Sequence, residues 1–508
     1  MRVAFRVDAS DQIGTGHFMR CLTLAGELQK SSTDIIFLVR VMPEYLRKLL
    51  IERNYRFVIF DNIENATLEF DLAHSHWLYV SQEQDARDAT EALSGNSWDW
   101  LVVDHYSLDY RWESMLRKVV ARILVIDDLA DRKHDCSILL DQNLYADMEV
   151  RYNDKVSIQC KKLLGSRYAL LRDEFVKARE NSKAKRLDKI QNILIFFGGV
   201  DAENNTCCAI NALVNIGTQD LRVNVVVGMQ NPYLKQIQDQ CKTHHFKCYL
   251  QTTRMAELMS SADLAIGAGG ISTYERLYFR LPSILKPIAA NQVAPLNYMS
   301  QIGLFDLFST QQELEDKLKN IFKYGVSLPP DCVEDGKSKV VECMFTELTQ
   351  LSEIRSYDVR RTYRWLQNLD LRSDFSMKEC PSLSDHFKYW RNIVQDQQQR
   401  VYSILYFDKH IGNCGLKNID FDTGASELWI YIADLTVRGK GVAFSALNKL
   451  LDIARNDLLG KRIYLHVARS NQIAIRLYTK TGFKPAQGLL TGRWQGRDHE
   501  ILRMGRML

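Results

Sequence analysis

"MRVAFRVDASDQIGTGHFMRCLTLAGELQK", residues 1–30, is the stretch that decides the fold. Its first ten residues alternate as a strand does. Two glycines follow, and then a helix pattern that puts Phe18, Cys21, Leu22, Ala25 and Leu28 on one face. The unit repeats outward. Strands read at "DIIFLVR" (34–40), "RFVIFD" (56–61), "WLVVDHY" (100–106) and "RILVIDD" (122–128), with helical stretches between them. Near-continuous apolar strands separated by helices predict a parallel sheet covered on both faces. After the charged stretch at the end of "LLGSRYALLRDEFVKARENSKAKR" (163–186), a second series begins: "NILIFFGGVD" (192–201), "LRVNVVVG" (221–228), "KCYLQ" (247–251), "ADLAIGAGG" (262–270) and "LPSILKPI" (281–288). Two open α/β sheets in tandem make a cleft at the carboxyl ends of their strands, where ligands bind. Near residue 352 the pattern changes to two helices followed by antiparallel strand signals in "RVYSILYFDKHIGNCGLKNID" (400–420) and "ASELWIYIADL" (425–435). The expected domains are 1–160, 161–350 and 351–508.

The 508 residues exceed one ordinary core. A net charge of +4 makes no overall case for nucleic acid, although residues 355–508 carry 25 Lys and Arg against 15 Asp and Glu. Eleven cysteines without a C-x-x-C pair point to free thiols in a reducing compartment. The N-terminus lacks the apolar run of a signal peptide, and no stretch reaches membrane-spanning length. A cytoplasmic protein without stable membrane insertion is expected; the sequence leaves the oligomeric state open.

Residues 11–21, "DQIGTGHFMRC", set G-T-G between strand and helix, but Met19 stands where a dinucleotide fingerprint needs its third glycine. His17 says more. At a helix start the macrodipole disfavours imidazolium, and a neutral imidazole can accept a proton. "LAIGAGGISTYERLYFRLPSI" (264–284) is a strand, a glycine loop and a helix whose first turn carries Ser272 and Thr273, with Glu275 just beyond. Such a start can cradle a pyrophosphate, and Glu275 can accept from ribose hydroxyls. "FFGGVDAENNT" (196–206) repeats the design with Gly198 and Gly199. The alternative is two tight turns closing helix on sheet. In His74-Ser75-His76 the two histidines face one side of an expected strand without further ligands. Asp127, Asp128, Asp131 and His134 read as a loop with Asx turns, so no metal is expected.

The stretches "RVDASDQIGTGHFMRCLTLA", "VVDHYSLDYRWE", "VIDDLADRKHDCSILLDQN", "YALLRDEF", "FFGGVD" and "AIGAGGISTYERLYFRLPSI" resemble, in order, the UDP-2,4-diacetamido-2,4,6-trideoxy-β-L-altropyranose hydrolases of pseudaminic acid biosynthesis, relatives of two-domain GT-B glycosyltransferases. The resemblance implies two Rossmann-like domains and hydrolysis of a UDP-sugar at its anomeric carbon, with His17 activating water. It places the UDP-sugar near Gly14, Gly16, Asp8, Asp104, Gly198, Gly199, Gly269, Gly270, Ser272, Thr273, Glu275, Asn291 and Gln292.

In the last third, "LTVRGKGVAFSALNKLLDIARN" (435–456) carries R-x-x-G-x-A at Arg438, Gly441 and Ala443 between strand and helix. "IYLHVARSNQIAIRLYTKTGFK" (463–484) follows about thirty residues on. Together they resemble the GCN5-related N-acetyltransferases (GNAT), and a likeness to the sugar-amine acetyltransferase of the same pathway is expected. The resemblance implies acetyl-CoA as co-substrate. Its pyrophosphate would lie on Arg438, Gly439, Lys440, Gly441, Val442 and Ala443, and its pantetheine along a splayed strand near Leu435 and Val437. Asn471 would touch the cofactor, Tyr478 protonate the leaving thiolate and Glu427 draw a proton from the amine through water. The expectation is a bifunctional enzyme: two Rossmann-like domains of GT-B type and a mixed α/β GNAT domain, acetylating a UDP-linked amino sugar and then releasing UDP with inversion. The rivals are a glycosyltransferase and a non-catalytic nucleotide-sugar binding module fused to an acetyltransferase.

Overall fold

A computed structural model of the chain describes residues 1–10, 12–61, 71–181, 190–217, 221–368, 379–437, 441–458, 460–494 and 497–508. The chain divides into two compact units, Met1–Val341 and Glu342–Leu508.

In the first unit, β1 (Arg2–Val7), β2 (Asp34–Val39), β3 (Arg56–Ile59), β4 (Trp98–Asp104), β5 (Val120–Ile126), β6 (Ile138–Asp141) and β7 (Lys161–Leu164) form one sheet in the order 3-2-1-4-5-6-7. All its pairings are parallel. β1, β4 and β5 are buried over most of their length, as strands covered on both faces are. β7 carries this sheet a few residues past the expected end at 160. A second sheet joins β8 (Asn192–Phe196), β9 (Arg222–Val227), β10 (Lys247–Leu250), β11 (Leu264–Ala268), β12 (Ser283–Lys286) and β13 (Asp306–Leu307) in the order 10-9-8-11-12-13. It too is parallel throughout. Strand order reverses between β1 and β4, and again between β8 and β11. Each reversal opens a crevice at the carboxyl ends of the strands.

The second unit is a mixed sheet of β14 (Thr349–Glu353), β15 (Arg400–Tyr406), β16 (Lys409–Asp420), β17 (Ala425–Ile432), β18 (Arg462–Ala468), β19 (Lys484–Trp494) and β20 (Arg497–Met507), ordered 14-15-16-17-18-20-19. β14 pairs antiparallel with Tyr402–Tyr406, so this unit begins before the expected residue 351. β17 and β18 are parallel but pair only from Ala425↔Arg462 to Glu427↔Tyr464. Beyond Glu427 the two strands run on without pairing each other, and a wedge opens between them. Leu435–Val437, expected as strand, is a 3-10 turn instead. The cause is Asp434, whose carboxylate accepts from the Thr436 N–H at 3.0 Å and its hydroxyl at 2.6 Å, turning the chain out of the sheet. His74–His76, also expected as strand, likewise lie at a 3-10 turn, Ser75–Leu78, closed by Tyr79 at φ 64°.

Beneath the carboxyl end of the first sheet lies a buried ionic knot. Arg6 donates to Asp85 at 2.8 and 3.0 Å and pairs with Asp8 at 2.8 Å. Arg40 donates to the same Asp85 at 2.9 Å, and Trp112 Nε1 does so at 3.0 Å. Asp8, expected at the substrate, is completely buried here. Its oxygens take Arg6, the Arg40 N–H at 2.7 Å and His105 Nε2 at 3.1 Å. Burial opposes both charges of the Arg6–Asp8 pair, but their mutual attraction prevails: the Asp8 carboxyl lies far below the usual carboxylate range. Replacing Asp85 by Ala leaves two buried guanidinium groups short of their shared carboxylate. We expect a loss of about 3–5 kcal/mol, read as a lower urea midpoint of the first unit.

Candidate active site

One cavity of the first unit is lined by residues that follow strands of both parallel sheets: His17, Arg20, Tyr106 and Asp128 from the first, and Gly270, Ile271, Thr273, Tyr274, Asn291 and Gln292 from the second. Gly16, at the start of helix Gly16–Gln29, makes the approach possible: a Cβ there would stand 3.0 Å from Ile271 Cδ1.

His17 is held from behind. Its Nδ1 lies 2.6 Å from Asp104 Oδ1 at the end of β4. Arg20, one turn along the same helix, donates to both oxygens of that carboxylate, at 2.5 and 2.6 Å. Burial would push the Asp104 carboxyl up, but Arg20 and His17 hold it far below the usual range, so it stays ionised. Arg20 Nη2 also lies 3.0 Å from Nδ1, but the carboxylate is nearer and can only accept, which favours the tautomer with the proton on Nδ1 and the lone pair on Nε2. The Tyr106 ring meets the imidazole edge-on, with centroids 4.6 Å apart. Its hydroxyl donates to Asp128 and accepts from Asn291 Nδ2 at 3.2 Å.

Partial positive charge gathers at the cavity from both sheets' helices. Three of the described helices begin at this cavity with no side-chain cap: Gly16–Gln29, Ile271–Tyr278 and Ala290–Gln301. Their free N–H groups and macrodipoles suit an anion. Thr273 is 1% exposed and lines the cavity, and its hydroxyl has no hydrogen-bond partner. A buried orphan hydroxyl beside an uncapped helix start is a vacant donor for a ligand oxygen. Gly269 and Gly270 bring the chain close to Gln292: a Cβ on Gly269 would meet Gln292 Oε1 at 3.0 Å and Leu296 Cδ1 at 2.5 Å.

The second glycine loop is different. The helix after Gly198 and Gly199 starts at Asn205, and the Asp201 carboxylate already accepts the N–H groups of Asn205 and Thr206, each at 2.9 Å. The protein's own anion fills the place expected for phosphate, and Gly198 and Gly199 do not line the cavity. Glu275, expected at the ribose, is buried, and its Oε1 takes Arg172 at 2.9 and 3.0 Å. Gly14 closes the turn to Ser10, and neither it nor Ser272 is among the cavity's lining. Arg20, Tyr106, Asp128, Asn143 and Tyr274 are cavity residues that sequence patterning did not single out as ligand contacts. Their signal lay in strand-end positions, which is weak without the topology. Asp127 pairs with Arg132 at 2.9 Å and His134 with Glu113 at 2.7 Å. Among the described residues, no three His, Cys, Asp or Glu are grouped to hold a metal. No described helix is long and apolar enough to cross a membrane.

In the second unit, Gly441 (φ 71°) stands at the uncapped start of helix Val442–Asn456. Val442 is buried and Ala443 half-buried; Arg438, Gly439 and Lys440 lie outside the described residues. Glu427, at the last β17–β18 pair, accepts from His466 Nδ1 at 3.0 Å, Lys417 Nζ at 3.2 Å and Asn418 Nδ2 at 3.0 Å. Burial works against its charge, yet His466 and Lys417 keep its carboxyl below the usual range. Asn471 is the cap of helix Gln472–Lys480: its side chain accepts from the Ala474 N–H at 3.1 Å. Tyr478 is buried in that helix against Phe483, and burial pushes its phenol up to about 12.

Residues 365–483 match the acetyltransferase (GNAT) family. Over 98% of its length the chain is 24% identical to an uncharacterized protein of Methanocaldococcus jannaschii, of which it covers 99%. Over 60% of its length it is 26% identical to a UDP-2,4-diacetamido-2,4,6-trideoxy-beta-L-altropyranose hydrolase of Campylobacter jejuni, of which it covers 97%. Among solved structures, the spermidine N-acetyltransferase of Vibrio cholerae in complex with CoA and spermine is 26% identical and aligns with 32% of this chain and 96% of its own, at a TM-score of 0.30. The chain therefore joins an acetyltransferase domain of the GNAT family to a long segment similar to a nucleotide-sugar hydrolase of the pseudaminic acid pathway.

Proposed function

We propose that this is a bifunctional nucleotide-sugar enzyme. The GNAT unit acetylates the 4-amino group of a UDP-linked 4-amino-4,6-dideoxy sugar with acetyl-CoA. The first unit, two Rossmann-like lobes of GT-B type, then hydrolyses the product, releasing UDP and the free 2,4-diacetamido sugar in the cytoplasm. The observation that carries the reading is the cavity itself: an imidazole oriented by an ionised carboxylate, opposite uncapped helix starts with an orphan hydroxyl.

Water bound near His17 gives its proton to Nε2 as its oxygen attacks the anomeric carbon. The Asp104 carboxylate stabilises the imidazolium that forms. The bond to the diphosphate breaks, and the negative charge growing on it meets the Ile271 helix start and the Thr273 hydroxyl. Attack opposite the leaving group inverts the anomeric centre. No metal is required in this scheme, since fixed dipoles meet the leaving group.

Exchanging His17 for Ala should lower UDP release by about 10²–10⁴-fold while CoA release stays unchanged. Undiminished UDP release by this variant, with binding intact, would defeat the hydrolase reading. The same assay excludes a pure binding module if the wild type turns over, and a glycosyltransferase if water alone accepts the sugar. Replacing Thr273 by Val keeps the shape and removes the orphan donor. We expect its KM for the UDP-sugar to rise about 10–100-fold, as for a lost hydrogen bond to a charged group, with Tm unchanged or higher.

A further inference from the structure

Both oxygens of Glu427 are occupied. Oε1 takes His466 Nδ1 and Lys417 Nζ, and Oε2 takes Asn418. A carboxylate so satisfied is a poor acceptor for a further proton. His466 stands differently. It lies on β18 two residues past the last pair with β17, on the same sheet face as Glu427, where the strands part. Its side chain is 31% exposed against 12% for Glu427. Since Nδ1 faces the carboxylate, Nε2 is the ring nitrogen not engaged by Glu427. The charged and titratable groups around the ring are Glu427 from β17, Lys417 from β16, Tyr464 beside it and Arg503 from β20, whose guanidinium lies over the Tyr464 ring at 4.2 Å.

We infer that His466 is the general base of acetyl transfer and that Glu427 is its positioning carboxylate, so that the second unit repeats, on an unrelated fold, the carboxylate–imidazole pairing of His17 and Asp104. The inference rests on reading this unit as an amine acetyltransferase. The acceptor ammonium gives one proton to His466 Nε2. The freed lone pair attacks the thioester carbonyl carbon, forming the C–N bond. The tetrahedral adduct then expels CoA thiolate, breaking the C–S bond. The thiolate takes a proton from the Tyr478 hydroxyl, and the resulting phenolate takes the second proton from nitrogen. Amide, CoA thiol and the one proton on His466 balance the ammonium and acetyl-CoA consumed. His466 loses that proton to solvent.

Three variants of the full chain test this, His466→Ala, Glu427→Gln and the double substitution, assayed by CoA release with the UDP-linked 4-amino sugar and, separately, with spermidine as a chemically different acceptor. His466→Ala should lower kcat about 10²-fold or more with little change in KM for acetyl-CoA, and added imidazole should restore part of it. Glu427→Gln should cost less alone and nothing further in the His466→Ala background, because it acts through the ring. An equal loss from Glu427→Gln in both backgrounds, or no imidazole rescue, overturns the assignment and returns the base role to Glu427. Acetylation of spermidine but not of the sugar would sink the acceptor proposed above and leave the dyad to the same comparison. Nitrogen-15 NMR of the histidines needs no acceptor: an Nδ1–H tautomer at His466 that is lost in Glu427→Gln is expected, and an Nε2–H tautomer in the wild type overturns the inference.

Discussion

The Asp104 carboxylate at the end of β4 is the interaction on which the geometry of the first unit's cavity depends. Completely unexposed, it receives His17 and Arg20 from the first helix and so ties that helix to the strand where the sheet's order reverses. One buried charge does three things. It holds the helix start over the crevice, favours one imidazole tautomer and, in the proposed hydrolysis, provides the counter-charge for an imidazolium. Its cost in desolvation is met by two nitrogen donors of Arg20 and one of His17. The knot of Arg6, Asp8, Arg40 and Asp85 lies beneath the same sheet edge and anchors β1 and the loop after β2.

Two glycine loops of the second sheet look alike as strings and behave differently. After Gly270 the helix start is open, and a buried hydroxyl has no partner. After Gly199 the helix start already holds Asp201. Anion binding at a helix start needs free N–H groups as well as glycine, so only the first loop keeps that capacity. The same logic separates Asn471, whose amide oxygen caps its own helix, from Gly441, whose helix start has no side-chain cap.

Periodicity carried a large part of the architecture. Apolar runs such as "DIIFLVR" and "RILVIDD" are strands because a strand covered on both faces must be apolar on both, and they lie in one parallel sheet. The change of pattern past residue 350 corresponds to a sheet with mixed pairing, although its first strand starts at Thr349. Local readings failed where a side chain redirected the backbone, as Asp434 does in turning Leu435–Val437 out of the sheet. They failed again where a distant residue claimed a polar group. Arg172, 103 positions away, takes Glu275, and Arg6 and Arg40 enclose Asp8.

By itself, then, the chain's residue order determined the kinds of elements, their parallel or mixed pairing and the presence of His17, the 269–273 loop and the helix after Gly441. These follow from neighbours within a turn or a strand. Tertiary structure alone decided which carboxylates face a cavity and which are locked in ion pairs, that Ile271 packs against Gly16, and that His466 meets Glu427 where two strands part. The reason is range. Hydrophobic period and turn chemistry act over a few residues, whereas a buried charge takes whichever partner the folded chain brings within hydrogen-bond distance, and that partner can lie anywhere in the sequence.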